Sequence, residues 1–429
     1  MSARRRGEAV EPSRSRGVQQ RTVAVLSGSQ VLGGVGMAGG VTAGGLLVAE
    51  VSGSDAMAGL SQTAVVLGGA LAAIPLARLS LAHGRRLGLA AGYATGAAGA
   101  ALVVLSAAAG LVLSLIAGMA LFGAAVAAGL QARYAATDLA SPRHVSRDLS
   151  IVVWMTAVGA VLGPNLAGPA GTTAAAVGLP GLTGMFLWSG AAFVIAAVSL
   201  VLLLRPDPLL LARATRSARA PGSEPEQIPG RPGTRDAWDA VMRSPRATLA
   251  LAALATVHTA MVALMVMTPL HLGEHGASLT IVGLVISGHV AGMYVLSPLV
   301  GALADRIGQV PVIVLGCALM AASAVLAAAV PATSTPWVGV ALFLLGVGWS
   351  CGVVAGSALL TASVPESVRP PAQGLSDLVM GLSAATAGAL AGVVFGVWSY
   401  AVLGALVALL VVPVAVGSRR HLGVRVPAQ

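Results

Sequence analysis

Met261 and Met265 stand four residues apart, and so do His289 and Met293. At that spacing each pair stacks two soft donors on one face of a helix. Thioether and imidazole together suit Cu(I) and few other biological ions. All four lie in long apolar segments almost free of polar side chains, where a polar group usually has a task. His258 shares the Met261/Met265 face and brings the set to five. These residue types offer passage to a soft monovalent ion, and the reading that follows is copper transport.

The helices that must position them form a hairpin, one running out of the membrane and the next running back. At about 1.5 Å per residue, Met261 lies about 12 Å and His289 about 13 Å below the periplasmic edge. Met265 is then higher and Met293 deeper, giving a ladder of soft ligands. Thioethers are uncharged and imidazole binds as the neutral species. The hairpin interior holds no carboxylate, so Mg²⁺ or Ca²⁺ finds nothing to suit it. His271, Glu274 and His275 at the mouth offer a capture site, with a solvated loop as the alternative. The bland reading of the ladder is also open: thirteen methionines in an apolar chain produce such pairs by chance, and Met fills cores.

The chain has 429 residues, 56% hydrophobic and 9% charged, with a mean hydropathy of +0.88. That composition excludes a soluble globular domain and fits a polytopic helical membrane protein. Abundant Ala and Gly let membrane helices pack closely. Cys317 and Cys351 fall in separate apolar segments without a CxxC motif, which argues against a disulfide framework or a zinc site. The Arg-rich start leads into a segment too long for a signal-peptide core.

Apolar runs of membrane-spanning length fall near 22–48, 57–77, 88–109, 111–132, 149–168 and 184–204, then 247–269, 280–300, 311–330, 337–360, 373–396 and 400–417. This predicts an all-α fold of twelve transmembrane helices, arranged as halves 22–204 and 247–417. Residues 1–21 and 418–429 read as cytoplasmic tails, and 205–246 as a polar cytoplasmic linker. All 25 basic residues are Arg, and all of them fall on one side of this topology. The positive-inside rule then places both termini in the cytoplasm and the chain in the cytoplasmic (inner) membrane. This one-sided placement, rather than the net charge of +10, argues against nucleic acid as a partner.

After span 8, Gly301-Ala302-Leu303-Ala304-Asp305-Arg306-Ile307-Gly308 resembles the loop motif of the major facilitator superfamily. Its glycines allow a tight turn, and Asp305 can accept from a helix N-terminus or an arginine. The matching stretch after span 2 carries Arg78, Arg85 and Arg86 but has Leu81 where the acid belongs. Asp377 is a candidate to supply that carboxylate to Arg78 or Arg85, with self-capping of its own helix as the alternative. In span 5, Gly159-Ala160-Val161-Leu162-Gly163-Pro164 resembles the glycine–proline motif of antiporters of this superfamily, although packing explains it equally. Met119 stands where proton-coupled drug exporters commonly carry an arginine. Asp138 and Arg147 read as a structural pair across the loop between spans 4 and 5.

MxxxM in span 7 followed by HxxxM in span 8 is similar to the signature of the CcoA-type copper importers, the CalT branch of the superfamily. That resemblance implies that Met261, Met265, His289 and Met293 are the copper ligands. It implies copper as substrate with no resident cofactor, and a cytoplasmic copper chaperone as a possible recipient. Three functions compete: copper uptake by alternating access, proton-coupled export of a drug-like or apolar metabolite with His258 or His289 carrying the proton, and a copper sensor or chaperone that binds without transport. No HExxH, phosphate loop or GxSxG lies in a usable context, so enzymatic activity is not expected. A monomer is the expected state, with the lipid bilayer as its constant partner.

Overall fold

In the bilayer core a backbone amide has no water to bond, so an apolar chain of this kind must close its hydrogen bonds within helices. The computed structural model describes residues 2–54, 57–219 and 233–421, which are helical almost throughout. The first half comprises α1 (Ser2–Ser52), α2 (Ala58–His83), α3 (Arg85–Ala108), α4 (Val112–Phe122), α5 (Ala124–Ala135), α6 (Val145–Asn165), α7 (Ala167–Ala176) and α8 (Thr183–Leu203). The connecting segment holds α9 (Pro208–Arg219) and α10 (Thr234–Arg243). The second half comprises α11 (Pro245–Glu274), α12 (Leu279–Tyr294), α13 (Ser297–Ile307), α14 (Gln309–Ala329), α15 (Thr335–Ser363), α16 (Arg369–Val397), α17 (Tyr400–Leu410) and α18 (Val412–Ser418).

Among the described residues, ten helices are long and apolar enough to cross a membrane. Spans 4, 5, 8 and 12 are each divided into two helices, at Gly123, Leu166, Val295–Leu296 and Val411. The break in span 8 has a direct cause. Pro298 has no N–H to offer the carbonyl of Tyr294, four residues earlier, and the helix ends there. Two regions outside the expected spans are also helical. α1 begins at Ser2, so the stretch read as an N-terminal tail continues the first span as helix. The connecting segment, read as a polar linker, carries two short helices among its described residues.

The two largest apolar clusters divide along the chain. One draws on residues from Leu26 to Leu204, and the other mainly on residues from Ala237 to Val414. In the second half α15 is the hub. A Cβ on Gly346 would meet the His289 carbonyl of α12, and one on Gly352 would meet the Val257 side chain of α11. Without side chains at these points, three helices come into backbone-range contact.

Symmetry between the halves is visible in two glycines. Gly84 joins α2 to α3 at φ 93° and ψ 165°, and Gly308 joins α13 to α14 at φ 97° and ψ 159°. That region of conformational space is open to glycine and strained for other residues. Both turns lie at the arginine-bearing end of the bundle, called the basic end below.

Candidate functional site

At the basic end the halves are fastened by polar contacts. Asp305, in the last turn of α13, accepts from the backbone N–H groups of Ser146 and Arg147, both at 2.9 Å. These are first-turn donors of α6, which have no partner within their own helix. Gly301 makes this seat possible, because a Cβ there would collide with the Ser150 side chain. Arg306 is exposed in the last turn of the same helix. Gly163 and Pro164 fall in the last turn of α6, and their side chains lie outside the described ones.

Two buried arginines complete the fastening. Arg133 of α5 donates to Asp377 of α16 at 2.7 Å and to Ser357 of α15 at 3.1 Å. Arg85 makes a two-pronged contact with Asp138, at 2.8 and 3.2 Å, and reaches Gln373 of α16 at 2.5 Å. These pairings correct the sequence reading in two places. Asp377 serves Arg133 rather than Arg78 or Arg85, because it faces α5 from its position two turns inside α16. Asp138 serves Arg85 rather than Arg147, whose backbone N–H is held by Asp305. Arg78 instead donates to Thr234 at the start of α10, at 3.1 Å.

The five expected soft ligands occupy a different arrangement from a facing hairpin. α11 and α12 each pack along α15, which carries the contacts of both imidazoles. Trp349 Nε1 donates to His258 Nδ1 at 3.0 Å. An indole nitrogen is donor only, so neutral His258 carries its proton on Nε2 and has no lone pair left for a metal. This removes His258 from the ligand set. His289 is wholly buried, and its Nδ1 donates to the Leu342 carbonyl at 2.9 Å. Its Nε2 is buried without a hydrogen-bond partner. Leu342 and Trp349 are seven residues apart, about two turns of α15, so the two imidazoles contact that helix at different levels. Met261 and Met293 are buried in the second-half core, and Met265 packs against it half-buried. Among the described residues no group of three or more His, Cys, Asp or Glu is placed to hold a metal ion.

A different cluster emerges where spans 7, 8 and 10 meet. The Trp349 ring lies 6.2 Å from the His258 ring and meets Tyr294 edge-on at 5.7 Å. Tyr294 is the last residue of α12, at the break imposed by Pro298. His258 and Tyr294 are half-buried. A separate polar group lies within the first half. Gln30 donates to Thr156 at 3.0 Å and accepts from the Tyr93 hydroxyl at 3.3 Å. Sequence reasoning passed over Trp349 and Tyr294. Their signal was rarity: only 3% of the chain is aromatic, and Trp349 sits among glycines in mid-span.

A helical bundle in two halves, fastened at one end by a capped helix and a buried ion pair, is an architecture suited to alternating access. The chain belongs to the major facilitator superfamily, whose model matches residues 26–277 and again 256–426. It is therefore a multi-pass membrane transporter rather than an enzyme. It is 37% identical over 411 residues to an uncharacterized MFS-type transporter, YdeG, of Bacillus subtilis (strain 168), covering 95% of this chain and 94% of that one. It is 29% identical over 373 residues to the riboflavin transporter RfnT of Brucella anthropi, covering 87% and 88% of the two chains. Among solved structures, the human organic anion transporter MFSD10 shares the fold with a TM-score of 0.71 at 16% identity, over 93% of this chain and 99% of that one.

Proposed function

We propose that the chain carries a small, flat organic solute across the cytoplasmic membrane, gripping its ring system on Trp349, Tyr294 and His258. The observation that carries this reading is the indole–phenol–imidazole cluster at the junction of three spans. Aromatic faces bind planar rings by offset or edge-on stacking, and the Nε2–H of His258 supplies a directional donor. The relative RfnT, named for riboflavin, supports a solute of this class.

With both termini cytoplasmic, as the arginine distribution favours, the fastened basic end is the cytoplasmic one, and the carrier is closed on that side. The halves 22–204 and 247–417 rock about the central cluster as a monomer in the bilayer. The test is flux of riboflavin and other flat heteroaromatic solutes in proteoliposomes holding the purified chain. Solute-specific flux above empty vesicles supports the reading, and its absence across the panel counts against it.

Copper uptake is the second reading, and His289 is the observation that favours it. Its Nδ1–H is committed to a backbone carbonyl, which fixes the tautomer and leaves Nε2 as a buried lone pair. Metal-ligating histidines are commonly held this way. Met293 lies one turn further along α12, with Met261 and Met265 on α11 as the remaining soft donors. A cytoplasmic copper chaperone belongs to this reading alone. Saturable copper flux that His289→Ala and Met293→Leu both abolish would establish it; flux unaffected by either would exclude these ligands.

A further inference from the structure

We propose that a groove on the lipid-facing side of the first half, at the basic end, binds one anionic phospholipid of the surrounding leaflet. Its acyl chain fills the groove, and its phosphate rests on Arg205 and His83. The groove encloses about 560 Å³. α3 forms its floor, and α2 and α8 form its walls, with Leu87, Ala94, Ala197 and Leu202 among the lining residues.

The cavity comes from side-chain size. Ala90, Ala91 and Ala94 recur along one face of α3 opposite Ala197 of α8, so the floor lies low between larger walls. Along α3 the groove runs from Leu87 to Ala94, about 10 Å. That is about two-thirds of one leaflet of a ~30 Å hydrocarbon core. Its lining is almost wholly apolar, and at membrane depth only hydrocarbon can fill such a space without desolvation cost.

The charge at its mouth selects the lipid. His83 lines the groove and is exposed at the end of α2. Arg205 is exposed one turn beyond Val201, and its Nε donates to the Val201 carbonyl at 3.2 Å, so the guanidinium stands over a lining residue. Arg86, next to the lining residue Leu87, keeps a buried Nε without a hydrogen-bond partner. Among the described residues no carboxylate lines the groove. Asp207, the nearest acid in sequence, is already engaged by the backbone N–H groups of Arg86, Leu209 and Leu210. The site therefore presents cations at headgroup level above a hydrocarbon slot, which matches a phosphatidylglycerol-type lipid rather than a zwitterionic one.

The full chain, purified and returned to detergent with either phosphatidylglycerol or phosphatidylcholine of identical acyl chains, gives the test. Native mass spectrometry counts retained lipid, and thermal melting reads its stabilising effect. Wild type should retain one phosphatidylglycerol with about fivefold or greater preference, the scale expected for one arginine at a headgroup. Arg205→Ala should lose the headgroup preference while still retaining a lipid. Ala94→Phe should lose retention of both lipids, and Ala197→Phe, from the opposite wall, should do the same. Equal retention of the two lipids by wild type overturns the proposal. So does a preference that survives Arg205→Ala, or retention that survives both phenylalanine variants.

Discussion

Arg133 and Asp377, 244 residues apart in the chain, meet at 2.7 Å with both side chains at most 2% exposed. One belongs to α5 and the other to α16, so the contact closes the boundary between the halves. A buried pair adds little over an apolar pair of equal volume, yet removing one partner strands a charge. Asp377→Asn should cost about 3–5 kcal/mol in a detergent melt, and Arg133→Met with Asp377→Leu should recover most of that loss. If the single variant melts as wild type, the pair is not buried in the working state.

Asp305 caps α6 from the opposite half, so its loss has two consequences. Asp305→Ala should lower stability by about 1 kcal/mol, the usual worth of a cap. It should also loosen the fastened end, and a single cysteine introduced at Ser146 should then label faster with a membrane-permeant maleimide. Labelling at an unchanged rate would show that the cap is not part of the fastening.

Gly84 and Gly308 share a backbone conformation but differ in surroundings. A Cβ at Gly84 would run into the Asp207 carboxylate, whereas one at Gly308 would meet only Pro311 Cδ at 3.7 Å. Gly308→Ala should cost about 1–3 kcal/mol from backbone strain. Gly84→Ala should cost more, because Asp207 must also move away from Arg86. Comparing the two melting temperatures checks the order.

Met261→Leu and Met293→Leu separate the two transport readings. Swapping Met for Leu in a core costs under about 1.5 kcal/mol, so flux of an organic solute should stay near wild type. A copper carrier would lose its thioethers and its transport together.

The spans were legible because hydropathy and one-sided arginines are properties of the chain itself. Asp305 was legible for a similar reason, since its motif is contiguous. Partners set by helix register were not. Asp377 and Arg133 find each other only when α5 and α16 are already packed, and no local pattern marks them. An i,i+4 spacing marks residues that share a helix face, but spacing cannot say what a face meets. Here α15 takes both imidazoles, and Trp349, 91 residues from His258, decides which ring nitrogen holds the proton. The break in span 8 had a visible cause in Pro298, and it is this break that ends α12 at Tyr294.

Equilibrium binding of riboflavin to the purified chain tests the central claim most directly. Its own fluorescence reports binding, and Trp337, 57% exposed, supplies the control position. The account predicts saturable binding to wild type and to Trp337→Ala. It predicts at least tenfold weaker binding to Trp349→Ala, equivalent to about 1.4 kcal/mol. No saturable binding to wild type, or equal affinity in all three proteins, would contradict it.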